Sequence, residues 1–383
     1  MKYPIRDIFI KYYSLFLKSY RENYYHSKVI NAIIKCKTKA LGGHSTVCFD
    51  CGNVTNHYNS CGNRHCPNCQ SLVQAKWVDK RKADVLNASY FHTVFTIPNE
   101  LNSLFICNQQ KLYSLLFKAS ATTLKLLAKD KKHLNAEIGF ISVLHTFGSN
   151  LSYHPHIHVI ILGGGLTKDL KFKHSKSKSY LFPARVIANL FRKTFLEMLS
   201  DLYYKKELIF SNKVNYLENE VSFEKFKIFL KNKKWNIKIK ETLNGAKNAI
   251  EYLGNYTHRI AISNSRIVSV TDEAVTFKYK DYKNNGEIKL MKLHPVEFIR
   301  RFTMHILPKG FIKMRHYGIL GNRNKKSKLA ICRNILKGIY PKSELDGLNT
   351  AEILYKLFKI DILRCKECGS TSLIKMPLII QRE

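Results

Sequence analysis

Six of the chain's ten cysteines fall between Cys36 and Cys69, in a Gly-containing stretch with too few long apolar runs to bury a core of its own. Such a segment folds only if something other than apolar burial holds it, and closely spaced thiols point to a metal. Cys48-Phe-Asp-Cys51-Gly52 and Cys66-Pro-Asn-Cys69 are two Cys-x-x-Cys knuckles separated by fourteen residues. The tight turn of a knuckle presents two thiolates to one edge of a tetrahedron. The pair is therefore expected to complete a four-coordinate structural Zn²⁺ with no open position. Cys36, His44, His57, Cys61 and His65 lie near enough to compete for places or to build a second site. Cys365-Lys-Glu-Cys368-Gly369 is half of another such site. Its remaining ligands have to come from elsewhere, with Cys332 and His316 as candidates; the alternative is a buried thiol pair.

The charge balance narrows the partners. Lys and Arg total 64 against 28 Asp and Glu, a net +36, in 383 residues that are 45% hydrophobic and so composed as a folded protein. A surface this cationic suits polyanions, nucleic acid foremost. An AT-rich genome explains Lys in place of Arg but not the shortage of acids. The most apolar early stretch, residues 8–17, is interrupted by Lys11 and ends at Lys18, so neither an export signal nor a membrane span is expected. Thiols kept as metal ligands then imply a cytoplasmic location.

Helical spacing of Ile5, Ile8, Phe9, Tyr12 and Phe16, and then of Ile30, Ile33 and Ile34, predicts one or two leading helices. A connecting helix is expected over residues 77–87. Alternation from Tyr90 to Ile97 predicts a strand, residues 101–129 a long helix, and residues 138–147 and 156–162 two further strands, the last closed by Gly163-Gly164-Gly165. Residues 166–240, with a Lys/Ser-rich loop and the apolar stripe Ile187, Phe191 and Phe195, look inserted. A helix over residues 244–258 and strands at 260–263 and 267–270 follow. The order strand, helix, strand, strand, helix, strand predicts an α+β fold, an antiparallel sheet with helices packed on it. Three units are expected: residues 1–85, helical and metal-binding; 86–265, the sheet domain; and 266–383, an accessory region ending in the Cys365/Cys368 pair.

His154, His156 and His158 alternate, and a strand sends alternate side chains to one face. Counting back through a hairpin centred near Asn150 puts His145 about opposite His156, where it could supply a third imidazole. Two or three imidazoles with free positions suit a divalent cation that polarises a phosphate; the bland alternative is a solvated polar strand edge. Tyr252-Leu-Gly-Asn-Tyr256 puts two phenols on one helix face, with Arg259 a turn further on. The spacing alone is no signature, since Tyr20 and Tyr24 share it.

In order along the chain, these pieces resemble one family, the two-tyrosine HUH rolling-circle transposases of bacterial insertion sequences. The resemblance is carried by Cys36 to His44, Ser60-Cys-Gly-Asn-Arg-His-Cys-Pro-Asn-Cys-Gln70, Val94-Phe-Thr-Ile-Pro98, Leu144-His-Thr-Phe147, His154-Pro-His-Ile-His158, Tyr252 to Ser263 and Phe311 to Leu320. It implies an N-terminal zinc-binding domain and an HUH nuclease domain. It also implies Mg²⁺ or Mn²⁺ on His156 and His158, with His145 assigned as third ligand. Tyr252 or Tyr256 would then attack single-stranded or hairpin DNA to leave a 5′-phosphotyrosine, in a cytoplasmic protein that meets the nucleoid when bound to DNA. For DNA contact, Arg259, Lys233, Lys234 and Trp235 are candidates, Trp235 being equally suited to the core. The rival readings are a non-catalytic zinc-dependent DNA-binding regulator and an HUH relaxase or replication initiator.

Overall fold

The computed structural model describes residues 4–177, 181–241, 254, 260–282, 284–338, 340 and 342–378. Helices α1 (Pro4–Ser19) and α2 (Tyr24–Lys35) lead in, the second capped by the Asn23 side chain, which accepts from the Tyr25 and His26 amides. The hairpin β1 (Gly43–Cys48) and β2 (Val54–Tyr58) precedes α3 (Ser71–Lys82). Next come β3 (Tyr90–Thr96), α4 (Asn102–Cys107), α5 (Gln109–Lys129), β4 (Glu137–Phe147), β5 (Tyr153–Leu166) and β6 (Phe172–His174). They are followed by α6 (Ala184–Tyr204), α7 (Glu220–Asn232), β7 (Ile237–Glu241), β8 (Ile267–Val270), β9 (Val275–Asp281) and β10 (Glu287–Leu293). The chain closes with α8 (Pro295–Thr303), β11 (Met314–Gly318), α9 (Lys325–Leu336), α10 (Thr350–Phe358) and β12 (Leu373–Pro377).

The result is α+β. The central antiparallel sheet has the order β11-β4-β5-β3-β7, with β6 on β5. Strand period two decides its faces. Ile157, Val159 and Ile161 of β5, Phe140 and Leu144 of β4 and Phe95 of β3 point one way, into a core shared with Leu112, Leu116, Phe191, Phe195 and Trp235 from the helical layer. Each fully buried Phe there contributes roughly 1.5–3 kcal/mol. Ile141, Val143, Ile160 and Leu162 point the other way, where Val78, Leu86, Leu329 and Cys332 cover them. A third cluster joins Ile8, Phe9 and Ile33 of α1 and α2 to Val275, Phe277, Phe298 and Phe302 of β9 and α8, so the leading helices pack against elements much further along the chain.

Several expectations are corrected. The triple glycine does not end its strand; β5 runs through it, because a Cβ at Gly163 would lie 2.1 Å from Ser89 Oγ, and the glycine admits that close approach instead of making a turn. The block at 166–240 is built into the fold: α6 contributes Ile187, Phe191, Phe195 and Leu199 to the large core and β7 forms a sheet edge. Residues 260–263 are not a strand, and β8, β9 and β10 make a separate sheet. Beyond residue 265, β11 joins the central sheet against β4, and β12 pairs with β1. The helix expected over residues 244–258 lies outside the described residues, apart from Gly254.

Candidate metal centres

Three groups of metal-capable side chains form among the described residues, two of thiols and one of imidazoles. The knuckles expected to share one zinc are separated. Cys66 and Cys69 gather with Cys36 and Cys61, whereas Cys48 and Cys51 gather with Cys365 and Cys368. The reason is topological: β12 lies antiparallel on β1 with Leu373 opposite Cys48, which delivers the C-terminal knuckle to the N-terminal one. Cys332 is instead buried against the central sheet, and His316 belongs to none of the three groups. His44 and His57 face each other across β1 and β2, rings 5.0 Å apart, and belong to none of the three groups.

The first thiol group sits under α1 and α2, with Cys36 capping α2 and Cys36 and Cys66 buried in that core. The Sγ atoms of Cys61 and Cys69 are 3.8 Å apart. A tetrahedron of thiolates at Zn–S about 2.3 Å has edges of about 3.8 Å, so the residues fit zinc. Amides of Asn63 and Asn68 donate to Cys61 and Cys66 Sγ, each at 3.4 Å, as knuckle turns do. The crowded thiols pull apart in acidity: hydrogen bonds from Cys61 and Cys66 lower Cys69, and those from Cys61 and Cys69 raise Cys66. Between the knuckle residues, Arg64 donates to the carbonyls of Phe311 and Pro308 and so ties this unit to the loop before β11. His65 is not a member of the thiol group; its Nε2 accepts from the Leu307 amide at 3.4 Å, and burial lowers its pKa to about 3.

The imidazole group lies on the face of the central sheet opposite the large helical core. His145 and His156 are directly paired across β4 and β5, and His158 follows two residues on. The intervening Ile157 is wholly buried on the other face, which anchors the strand. All three ligand atoms lie within 4.8 Å of one another. His156 Nδ1 donates to the His154 carbonyl at 2.6 Å, which leaves Nε2 as its lone pair. That atom lies 3.1 Å from His158 Nε2. On the far side of His158, Nδ1 is 2.9 Å from His92 Nε2. When His158 donates there, its Nε2 also offers a lone pair, and two lone pairs converging at this distance are an arrangement able to hold a cation. An all-nitrogen donor set suits Mn²⁺ better than the oxygen-seeking Mg²⁺.

Sequence reasoning did not place His92 beside the imidazole group. It stands alone among apolar and Thr residues of β3, and only the pairing of β3 with β5, Val94 opposite His158, brings it diagonal to His158. Trp235 is corrected: it is buried against Phe191 and Phe195, its Nε1 donates to the Leu230 carbonyl at 3.0 Å, and no face is left for a base. Lys233 pairs with Glu100 at 2.8 Å, and Lys234 is exposed. Tyr252, Tyr256 and Arg259 lie outside the described residues. Gly254, midway between the tyrosines, is buried against α3: its carbonyl accepts from Gln74 Nε2 at 2.9 Å, and a Cβ there would meet Val78 Cγ2 at 2.1 Å.

A family model described as "Putative transposase" matches residues 139–328, and one described as "Transposase zinc-binding domain" matches residues 8–97. The "Putative transposase y4qJ" of Sinorhizobium fredii (strain NBRC 101917 / NGR234) is 43% identical over 309 residues, 81% of this chain and 78% of the relative. The "Transposase for insertion sequence element IS801" of Pseudomonas savastanoi pv. phaseolicola is 26% identical over 357 residues, 90% of this chain and 82% of the relative. No solved structure matches. The chain belongs to the IS91-like transposases. The zinc-binding match of this transposase takes in Cys36, Cys48, Cys51, Cys61, Cys66 and Cys69, and the transposase match takes in all three clustered histidines. As a transposase it acts on DNA, and among the described residues no helix is long and apolar enough to cross a membrane.

Proposed function

We propose that the transposase nicks and rejoins single-stranded DNA at the ends of its element, with His145, His156 and His158 holding a divalent cation and Tyr252 or Tyr256 as nucleophile. The observation that carries this reading is the convergence of the three imidazoles, within 4.8 Å, on a sheet face otherwise covered by apolar packing. Burying three imidazoles on one sheet face is costly unless each is partnered, and a shared cation would partner all three. A divalent cation held by His145, His156 and His158 would supply positive charge to the scissile phosphate and help a phenol, whose ordinary pKa is about 10, to lose its proton. The tyrosine oxygen forms a bond to phosphorus as the bond to the 3′ oxygen breaks, and that oxygen leaves as a hydroxyl. The 5′-phosphotyrosine keeps the bond energy, so rejoining is the reverse step with a new 3′ hydroxyl and needs no nucleotide cofactor.

The place of Gly254 supports the tyrosine assignment. Val78, against which it packs, belongs to the cluster on the histidine side of the sheet. That side also carries a cavity lined by Lys76, Lys80 and Lys326, cations available to phosphates of an approaching strand. The test is to incubate the full chain with end-labelled single strands and Mn²⁺ and to run a denaturing gel. A DNA-linked protein band that disappears in His156→Ala supports the proposal. Tight binding without any nick would favour a regulator that only binds DNA.

A further inference from the structure

The Cys48 and Cys365 knuckles are built alike. Gly52 N donates to the Cys48 carbonyl at 2.9 Å, and Gly369 N to the Cys365 carbonyl at 3.0 Å. Both glycines are left-handed, at φ +66° and +76°, the conformation that turns the chain back so that each pair of thiols faces one point. Across the two knuckles, Cys48 Sγ is 3.6 Å from Cys368 Sγ, and Cys51 Sγ is 3.6 Å from Cys365 Sγ. A disulfide needs about 2.05 Å, whereas thiolates sharing a tetrahedral zinc lie about 3.8 Å apart.

The strands that bring the knuckles together have little else to hold them. β12 pairs with β1 from His44 opposite Pro377 to Cys48 opposite Leu373, and the Phe49 amide extends the ladder to the Ser372 carbonyl at 2.9 Å. Yet Ile374 and Met376 of β12 and Val54 of β2 are exposed, and a small sheet without a buried face is marginal in water. The family matches, residues 8–97 and 139–328, both end before Cys365 and leave this pair unassigned.

We infer that Cys48, Cys51, Cys365 and Cys368 form a second structural zinc site, which fastens the C-terminal segment onto the N-terminal zinc-binding module. The fastening joins Cys51 to Cys365, 314 positions further along the chain. It pins α10 and its approach at the far end, while Asp79 of α3 pins them at the near end by accepting from the Ser343 hydroxyl and the Glu344 and Leu345 amides. The site is independent of the cleavage chemistry, since four thiolates leave zinc no open position.

The test counts metal and maps thiols in the full chain. Elemental analysis is expected to give two zincs per chain, falling to one in the Cys365→Ser/Cys368→Ser double variant. Cobalt replacement should lose half of its thiolate charge-transfer intensity in the same variant. If that variant does not fold, alkylation of the native chain decides. Cys51 and Cys368 are exposed, so only a metal would shield them from iodoacetamide, and they should become reactive on chelation. One zinc in the native chain, two in the double variant, or equal alkylation of Cys51 and Cys368 before and after chelation would each overturn the inference.

Discussion

His92 Nε2 stands 2.9 Å from His158 Nδ1, both rings buried and nearly parallel. The contact fixes which nitrogen of His158 faces the imidazole cluster, and outer partners of this kind set ring orientation and ligand basicity. His92→Phe keeps the ring volume and removes the acceptor. It should weaken the Mn²⁺ dependence of nicking roughly 10–100-fold with DNA affinity unchanged. Titrating Mn²⁺ against initial nicking rate checks this; an unchanged midpoint would show that His92 only fills space.

Gly254 leaves no room for a side chain. A Cβ there would lie 2.1 Å from Val78 Cγ2, so either Gly254 moves away from α3 or the Val78 side chain turns aside. Gly254→Ala should therefore reduce nicking while the thermal transition moves little, and Val78→Ala should restore part of the rate by opening the space. A Gly254→Ala protein as active as the parent would contradict the close approach.

His305 should make the protein acid-sensitive. Its Nε2 donates to the Leu151 carbonyl and its Nδ1 accepts from Thr146, so both nitrogens are used in the neutral form, and burial lowers its pKa from 6.5 to about 4. Between those values the unfolded chain binds a proton that the folded chain does not, so stability rises with pH across the window. The contribution is complete above the unfolded pKa and is lost as pH falls from about 6.5 towards 4, on the order of 3 kcal/mol in all. Urea melts from pH 7 to 4 should steepen accordingly, and His305→Phe, whose ring fits between Phe147 and Tyr153, should flatten the slope.

Trp235→Ala should cost about 3–5 kcal/mol as a core deletion. Trp235→Phe should keep most of that and leave single-strand affinity unchanged, because the indole is buried. Fluorescence quenching of Trp235 by bound DNA would contradict its place in the core.

Where the sequence carried its own geometry, it could be read. Period-two alternation marks β3, β4 and β5, and a short hairpin through Asn150 sets a register in which His145 meets His156. A bulge between His145 and Phe147 does not disturb that pair. The knuckles were legible as knuckles, but their partners were not: nearness in sequence favoured Cys66 and Cys69, while β12 brings Cys365 and Cys368 from the other end. Trp235 was hidden by its lysine neighbours, since a buried residue at the mouth of a strand needs only one apolar position. His92 carried no signal of its own, because its role depends on a diagonal across β3 and β5 that single-strand periodicity does not encode.

The central claim is that a tyrosine of the Tyr252/Tyr256 pair takes the DNA covalently. The measurement is peptide mapping of the adduct formed with a labelled single strand and Mn²⁺, on the parent chain and on Tyr252→Phe, Tyr256→Phe and the double variant. The account predicts label on the peptide carrying Tyr252 and Tyr256, none in the double variant, and folded protein throughout, since each change removes one hydroxyl. Label on Tyr20, Tyr24 or any serine, or an adduct that survives the double variant, would contradict it.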